Sequence, residues 1–296
     1  MTEALQGTPF ATNAATKRLT ATAIRAELRV LPTRASVWLI LSIWLVCLVV
    51  FGYVVSSVSL DALPGIADAQ IDGYLLSMTP QGSSYYILAS MPMYCAPLLV
   101  VLGTLLAGSD LGRGIARTLF VRLGNHRGSY LAGKTTVAVV VSALVAGVTV
   151  VGSVTSSFVL AASRNLDMSL PAAIDLLLEF VALLLVSLTF LLVGMAIAYV
   201  VGNSLLGAGI GLLGIIGVET LLLGALAPLS DAAMMLRDVL PAGAAGAIAV
   251  ALTPNDVETL PTLTTSMPGA AGVAVLIAWC VLACVVSRVA VQRYAA

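Results

Sequence analysis

From Thr135 to Ala162 the chain carries no charged side chain. As a helix at 1.5 Å per residue that stretch would extend about 42 Å, more than the ~30 Å hydrocarbon core of a bilayer. Five further apolar runs lie at 36–58, 86–107, 172–201, 204–227 and 269–286, each near or above the ~20 residues a membrane-crossing helix needs. Composition agrees: 60% of the 296 residues are hydrophobic and 9% charged, against about 25% charged in an ordinary soluble domain. No soluble fold of this size hides so much apolar side chain, so a water-soluble enzyme is excluded. The expected fold is an all-α polytopic membrane protein with a six-helix transmembrane domain over 36–290, preceded by a basic segment over 1–35. The first apolar run is longer than a signal-peptide core and is expected to be retained as a span.

The distribution of basic residues sets the orientation, because Lys and Arg are held on the cytoplasmic side. With both termini inside, Lys17, Arg18, Arg25, Arg29, Arg34, Arg113, Arg117, Arg122, Arg127, Lys134, Arg288 and Arg293 all fall in cytoplasmic segments. The outer loops keep Arg164 and Arg237 and hold Asp61, Asp68, Asp72, Asp167, Asp231, Asp238, Asp256 and Glu258. This predicts a multi-pass protein of the cell (plasma) membrane. The balanced net charge leaves no nucleic-acid footprint.

Several kinds of chemistry lack their residues. His126 is the one histidine, and Cys47, Cys95, Cys280 and Cys284 sit inside apolar runs without metal or disulfide spacing. Neither a catalytic site nor a metal site is expected. Two motifs mislead. Gly128-Ser129-Tyr130-Leu131-Ala132-Gly133-Lys134-Thr135 matches the phosphate-loop pattern, but a polar stretch precedes it and a membrane helix follows, where a nucleotide site needs a strand and a parallel sheet. Lys134 is instead expected to snorkel at the cytoplasmic end of span three. Gly209-Ile210-Gly211-Leu212-Leu213-Gly214 matches a dinucleotide fingerprint inside span five, where Gly207 and Gly211 form a small-x-x-x-small pair for close helix packing.

Polar features within or beside the spans are the candidates for function. Glu179 and Glu219 lie about eight residues in from the outer ends of spans four and five, roughly 12 Å deep. An ionised acid there costs about 2.5–3.5 kcal/mol unless relieved, which points to a polar substrate cavity or a protonated pair, or else to shorter spans with both acids at the interface. Before span one, Ile24, Leu28 and Leu31 share one helical face and Arg18, Arg25 and Arg29 another, the pattern of an amphipathic helix in the headgroup plane or of a basic tail that fixes orientation. Ser169 and Pro171 are expected to cap and start span four, and Pro92 and Pro97 interrupt the hydrogen-bond ladder of span two. The run at 242–252 is too short to span and is expected to be re-entrant or interfacial.

Three stretches in order resemble the membrane subunit of a type-2 ABC transporter, the exporter-class permease. These are Arg25-Ala26-Glu27-Leu28-Arg29 through Arg34-Ala35-Ser36-Val37-Trp38; Ser109-Asp110-Leu111-Gly112-Arg113-Gly114-Ile115-Ala116-Arg117-Thr118-Leu119 with Arg127 and Gly133-Lys134; and Leu240-Pro241-Ala242-Gly243-Ala244. The departures are Asp110 where the family has Glu, Ile115 where Thr is common, and a Gly202-Asn203 turn without the common Arg. The resemblance implies an amphipathic connecting helix before span one. It also implies a cytoplasmic coupling helix at 111–123, capped by Asp110, whose Arg113, Ile115, Arg117 and Leu119 meet an ATPase. It further implies a dimer of six-span permeases driven by separate cytoplasmic ABC ATPase subunits. ATP and magnesium would then belong to the partner, and this chain would hold no cofactor, its only other associate being membrane lipid. The competing expectations are a proton-coupled secondary transporter using Glu179 and Glu219, and a non-transporting membrane immunity or scaffold protein. The substrate is not legible.

Overall fold

The computed structural model describes residues 9–62, 75–111, 127–252 and 265–293, which form helices joined by turns, with no strand among the described residues. In chain order the helices are α1 (Pro9–Val30), α2 (Ala35–Ser59), α3 (Ser83–Leu111), α4 (Arg127–Arg164), α5 (Ala173–Val201), α6 (Ser204–Leu229), α7 (Asp231–Val239), α8 (Pro241–Ala251) and α9 (Gly269–Arg293). Six of them, α2 to α6 and α9, are long and apolar enough to cross a membrane. These six helices match the expected apolar runs in number and order, with different ends. α4 starts at Arg127 rather than 135, and α9 runs to Arg293 rather than 286. Apolar patterning reports only the hydrocarbon depth. The backbone ladder continues beyond it, and Arg293 in the last turn of α9 complements the helix dipole. α3 continues through Pro92 and Pro97.

The bundle is organised around α5, which packs on α3, α4, α6 and α9. Its closest approach is to α3, and glycine makes it possible. A Cβ on Gly103 would strike the carbonyl oxygen of Leu191, and one on Gly194 would strike that of Val100. Without a hydrophobic force between helices in lipid, such backbone proximity supplies the dispersion contact that holds them. The small pair in α6 does the same: Gly207 faces the Ala198 backbone and Gly211 faces the Val100 side chain, while Gly209 and Gly214 face open space. The α5–α6 hairpin closes at Gly202, whose φ of 73° ends α5 in a left-handed cap. Asn203 then starts α6 by accepting from the Leu205 and Leu206 N–H groups at 2.9 and 3.2 Å.

One expectation is corrected at the start of α5. Ser169 is not its cap, because its N–H and hydroxyl both donate to Asp167, and the helix begins after the uncapped Ala172. Between α6 and α9, α7 and α8 meet at Leu240 with a bend of 89°. α8 matches the short run at 242–252, and Pro241 and Gly243 to Ala249 are all buried, packed on α3 and α9. Of the segment expected at 111–123, Leu111 ends α3 and Asp110 stands in its last helical turn, whereas Arg113, Ile115, Arg117 and Leu119 lie outside the described residues.

Candidate functional site

α1 is amphipathic as expected, but its inward face carries an acid. Arg18, Arg25 and Arg29 are exposed, Ile24 and Leu28 are half-buried, and Leu31 is buried. The same inward face presents Glu27 to the start of α4. One Glu27 carboxylate oxygen lies 2.9 Å from Lys134 Nζ and the other 2.6 Å from an Arg34 guanidinium nitrogen. Thr20 and Ser129 hydroxyls are 2.9 Å apart along the same seam, and Ala23 lies against Gly133. This corrects the expectation for Lys134. It does not snorkel to solvent: its side chain is 1% exposed, with the Tyr130 ring 5.4 Å away. Two cations around one carboxylate satisfy a charge that a low dielectric would otherwise penalise heavily. The joint ties α1, the start of α2 and the start of α4 into one unit.

The phosphate-loop match at 128–135 is helical throughout, within α4. Beyond the helix's first turn its backbone N–H groups are committed to the ladder, and Lys134 pairs with Glu27, so the stretch is not the loop that wraps a phosphate.

Glu179 and Glu219 are both buried within the bundle, at 1% and 6% exposure. The structure gives them different neighbours. Glu179 stands on α5 near Tyr53 of α2, close enough for its charge to act on the phenol. The Tyr53 and Tyr86 rings pack 5.9 Å apart, and the Tyr86 hydroxyl donates to Ser56 Oγ at 2.7 Å. Arg164, at the end of α4, donates to the Ser57 carbonyl at 3.1 Å and joins the same end of α2. Asp175, one turn before Glu179, is exposed in the first turn of α5.

Glu219 sits in a π-helical stretch of α6, Leu213–Leu222, and such widened turns redirect side chains. It accepts from the backbone N–H groups of Ala242 and Gly243 at the start of α8. Leu240, the residue flanking that helix, cannot cap it with its own side chain, so Glu219 of another helix takes the role and meets the positive end of the dipole. Arg237 lies close enough for its charge to act on Glu219. Asp238 holds the next connection, accepting from the Ser266 N–H at 3.0 Å and its hydroxyl at 2.6 Å. Trp279 of α9 donates to the Val239 carbonyl at 2.9 Å.

Glu27 and Asp238 are the residues that sequence reasoning missed. A signal existed for the first: before Asp61 the acids are Glu3 and Glu27, and Glu27 stands on the apolar face of a basic helix. Asp238 carried none, since a loop acid is ordinary. Compared with known protein families, curated proteins and solved structures, the chain has no match.

Proposed function

We propose that this chain is the transmembrane permease subunit of an ATP-driven ABC exporter, working as a dimer of six-span units powered by separate ATPase subunits. The observation that supports this most is the ionic joint of Glu27, Arg34 and Lys134. It fastens α1 to α4 at the end of the bundle where α3 stops at Leu111 and α4 resumes at Arg127. The intervening loop, with Arg113, Ile115, Arg117 and Leu119, is the expected seat of the ATPase. A push there is delivered to α3 and α4 together, and the joint carries it to α1 and the start of α2. α3 and α4 both pack on α5, so a displacement at that end reaches the centre of the bundle. In this reading α8 is a re-entrant half-helix, and both termini face the cytoplasm with the basic residues.

The test is purification of the chain with its co-expressed ATPase and reconstitution into vesicles. The chain alone should hydrolyse no ATP. The complex should hydrolyse it, and Leu119→Glu should lower that activity or separate it from transport while leaving the chain in the membrane. Transport driven by a pH gradient without ATP, and abolished by Glu179→Gln with Glu219→Gln, would favour the secondary transporter instead. Co-purification and transport unchanged in Leu119→Glu would place the interface elsewhere.

A further inference from the structure

The ends of α5 and α9 leave between them an open groove of about 490 Å³ lined by Tyr199, Val200, Val285, Val286, Val289, Ala290 and Arg293. That volume is within the ~300–1,000 Å³ of small-molecule sites. The lining is valine-rich and three of its members face outward, Val200 at 61%, Val285 at 53% and Val289 at 43% exposure. One lining residue is charged. Arg293 stands at the end of α9, exposed, in no ion pair among the described residues.

We infer that this groove binds one anionic phospholipid, with an acyl chain along the valines and the headgroup phosphate on Arg293. Depth supports the match. α9 has 25 residues, about 37 Å at 1.5 Å per residue, so its last turn lies past the edge of a ~30 Å hydrocarbon layer. From Arg293 down to Val285 the groove descends eight residues, roughly 12 Å, which takes it from headgroup level into the chains. The site is therefore polar at one end and apolar below, in the order in which a phospholipid is built. The carbonyl ends of α5 and α9 also point here and repel an anion, and the guanidinium answers both. Its five donors in a planar fork can satisfy helix carbonyls on one edge and a phosphate on the other, which an ammonium cannot do with the same geometry. Arg127 anchors the same end of α9 by donating to the Gln292 carbonyl at 3.3 Å, so the groove wall is held in place. A zwitterionic lipid brings its own cation to the phosphate and gains less from Arg293. This site is independent of the transport reading, since it concerns the lipid contact of two helices and not the engine.

Native mass spectrometry of the full chain in detergent, titrated with phosphatidylglycerol or phosphatidylcholine of identical chains, tests the inference. One retained phosphatidylglycerol is expected, preferred about fivefold, which is the ~1 kcal/mol that one basic residue contributes near a surface. Arg293→Gln should abolish the preference while lipid still binds, and Arg293→Lys should keep part of it. Val289→Trp should fill the groove and reduce retention of both lipids. Excess inorganic phosphate should not displace the lipid. Equal occupancy by the two lipids in the parent chain, a preference that survives Arg293→Gln, or retention unaffected by Val289→Trp would overturn the inference. Displacement by phosphate with binding intact in Val289→Trp would show a bare anion site and overturn it as well.

Discussion

Glu219 offers the sharpest perturbation, because its role is local and its partners are backbone groups. Replacing it with Ala removes the acceptor for the N–H groups of Ala242 and Gly243. A buried donor left without a partner costs about 1–3 kcal/mol. The lost attraction between a carboxylate and a helix N-terminus adds up to ~2 kcal/mol in a partly buried setting. Against these stands the relief of no longer desolvating a carboxylate that is 6% exposed. A net loss of roughly 2–4 kcal/mol in the seating of α8 follows. Glu219→Gln keeps an acceptor oxygen and forfeits the charge, so it should cost about 1 kcal/mol.

Global unfolding is a blunt readout for a six-span bundle, so the assay should report on α8 itself. Ile248 is 5% exposed and buried in that helix. With Ile248→Cys as the only thiol, after alanine replaces Cys47, Cys95, Cys280 and Cys284, maleimide labelling measures how often α8 leaves its seat. At 1.36 kcal/mol per tenfold, Glu219→Ala should accelerate labelling about 30- to 1,000-fold and Glu219→Gln about fivefold. Labelling within twofold of the parent for Glu219→Ala would refute the capping role and show that packing alone holds α8. A larger effect for Gln than for Ala would refute the charge argument.

The ionic joint should behave asymmetrically. Glu27→Ala strands Lys134, which is 1% exposed, and should cost about 3–5 kcal/mol, whereas Glu27→Ala with Lys134→Met should recover much of it, as read by thermal inactivation in nanodiscs; equal costs would show that Lys134 finds water. At the α3–α5 crossing, Gly103→Ala should destabilise by about 1–3 kcal/mol or more, because the obstruction is the Leu191 carbonyl and not a side chain that can turn away. Gly209→Ala, facing open space, is the matched control and should leave the same melting profile unchanged.

The spans were legible because one physical variable, apolar surface facing lipid, governs them. The Gly207 and Gly211 contact was legible too, since small residues four apart share a helical face. Helix ends were less so: α4 and α9 outrun their apolar stretches, and nothing in hydropathy marks where a ladder stops in the headgroup layer. The partners of charged residues were the least legible. Glu27 and Lys134 are separated by 107 positions, and Glu219 and Ala242 by a turn whose 89° bend no local pattern reports. Lys134 looked like a snorkelling cation because sequence shows its depth but not its neighbours. Glu179 and Glu219 stand out in the sequence as acids at equal depth, but depth fixes only one of three coordinates, so their different neighbours were not legible.

The two tethering carboxylates have a common cause. Neither α1 nor α8 is by itself long and apolar enough to cross a bilayer, and each must be held at one place on a bundle whose exterior is apolar. In water a short helix such as α8, all Ala, Gly, Pro, Ile and Val, would be seated by the hydrophobic effect. In lipid that force is absent, because acyl chains solvate its surface as well as α3 and α9 do. What remains is dispersion, which is weakly position-specific, and polar contact, which is strongly so when water is excluded. A single acid reaching from elsewhere in the bundle then fixes the register: Glu219 from α6 holds the start of α8, and Glu27 of α1 is gripped by Arg34 and Lys134. Each tether also converts a costly buried charge into a specific one, so the desolvation that makes Glu219 conspicuous in the sequence is the same quantity that makes its cap discriminating. It follows that moving the acid one turn along α6, as Glu219→Leu with Leu223→Glu, should not rescue α8. A charge on nearly the same face but about 6 Å away along the axis would leave the Ala242 and Gly243 amides unmet, and Ile248→Cys should label as fast as in Glu219→Ala.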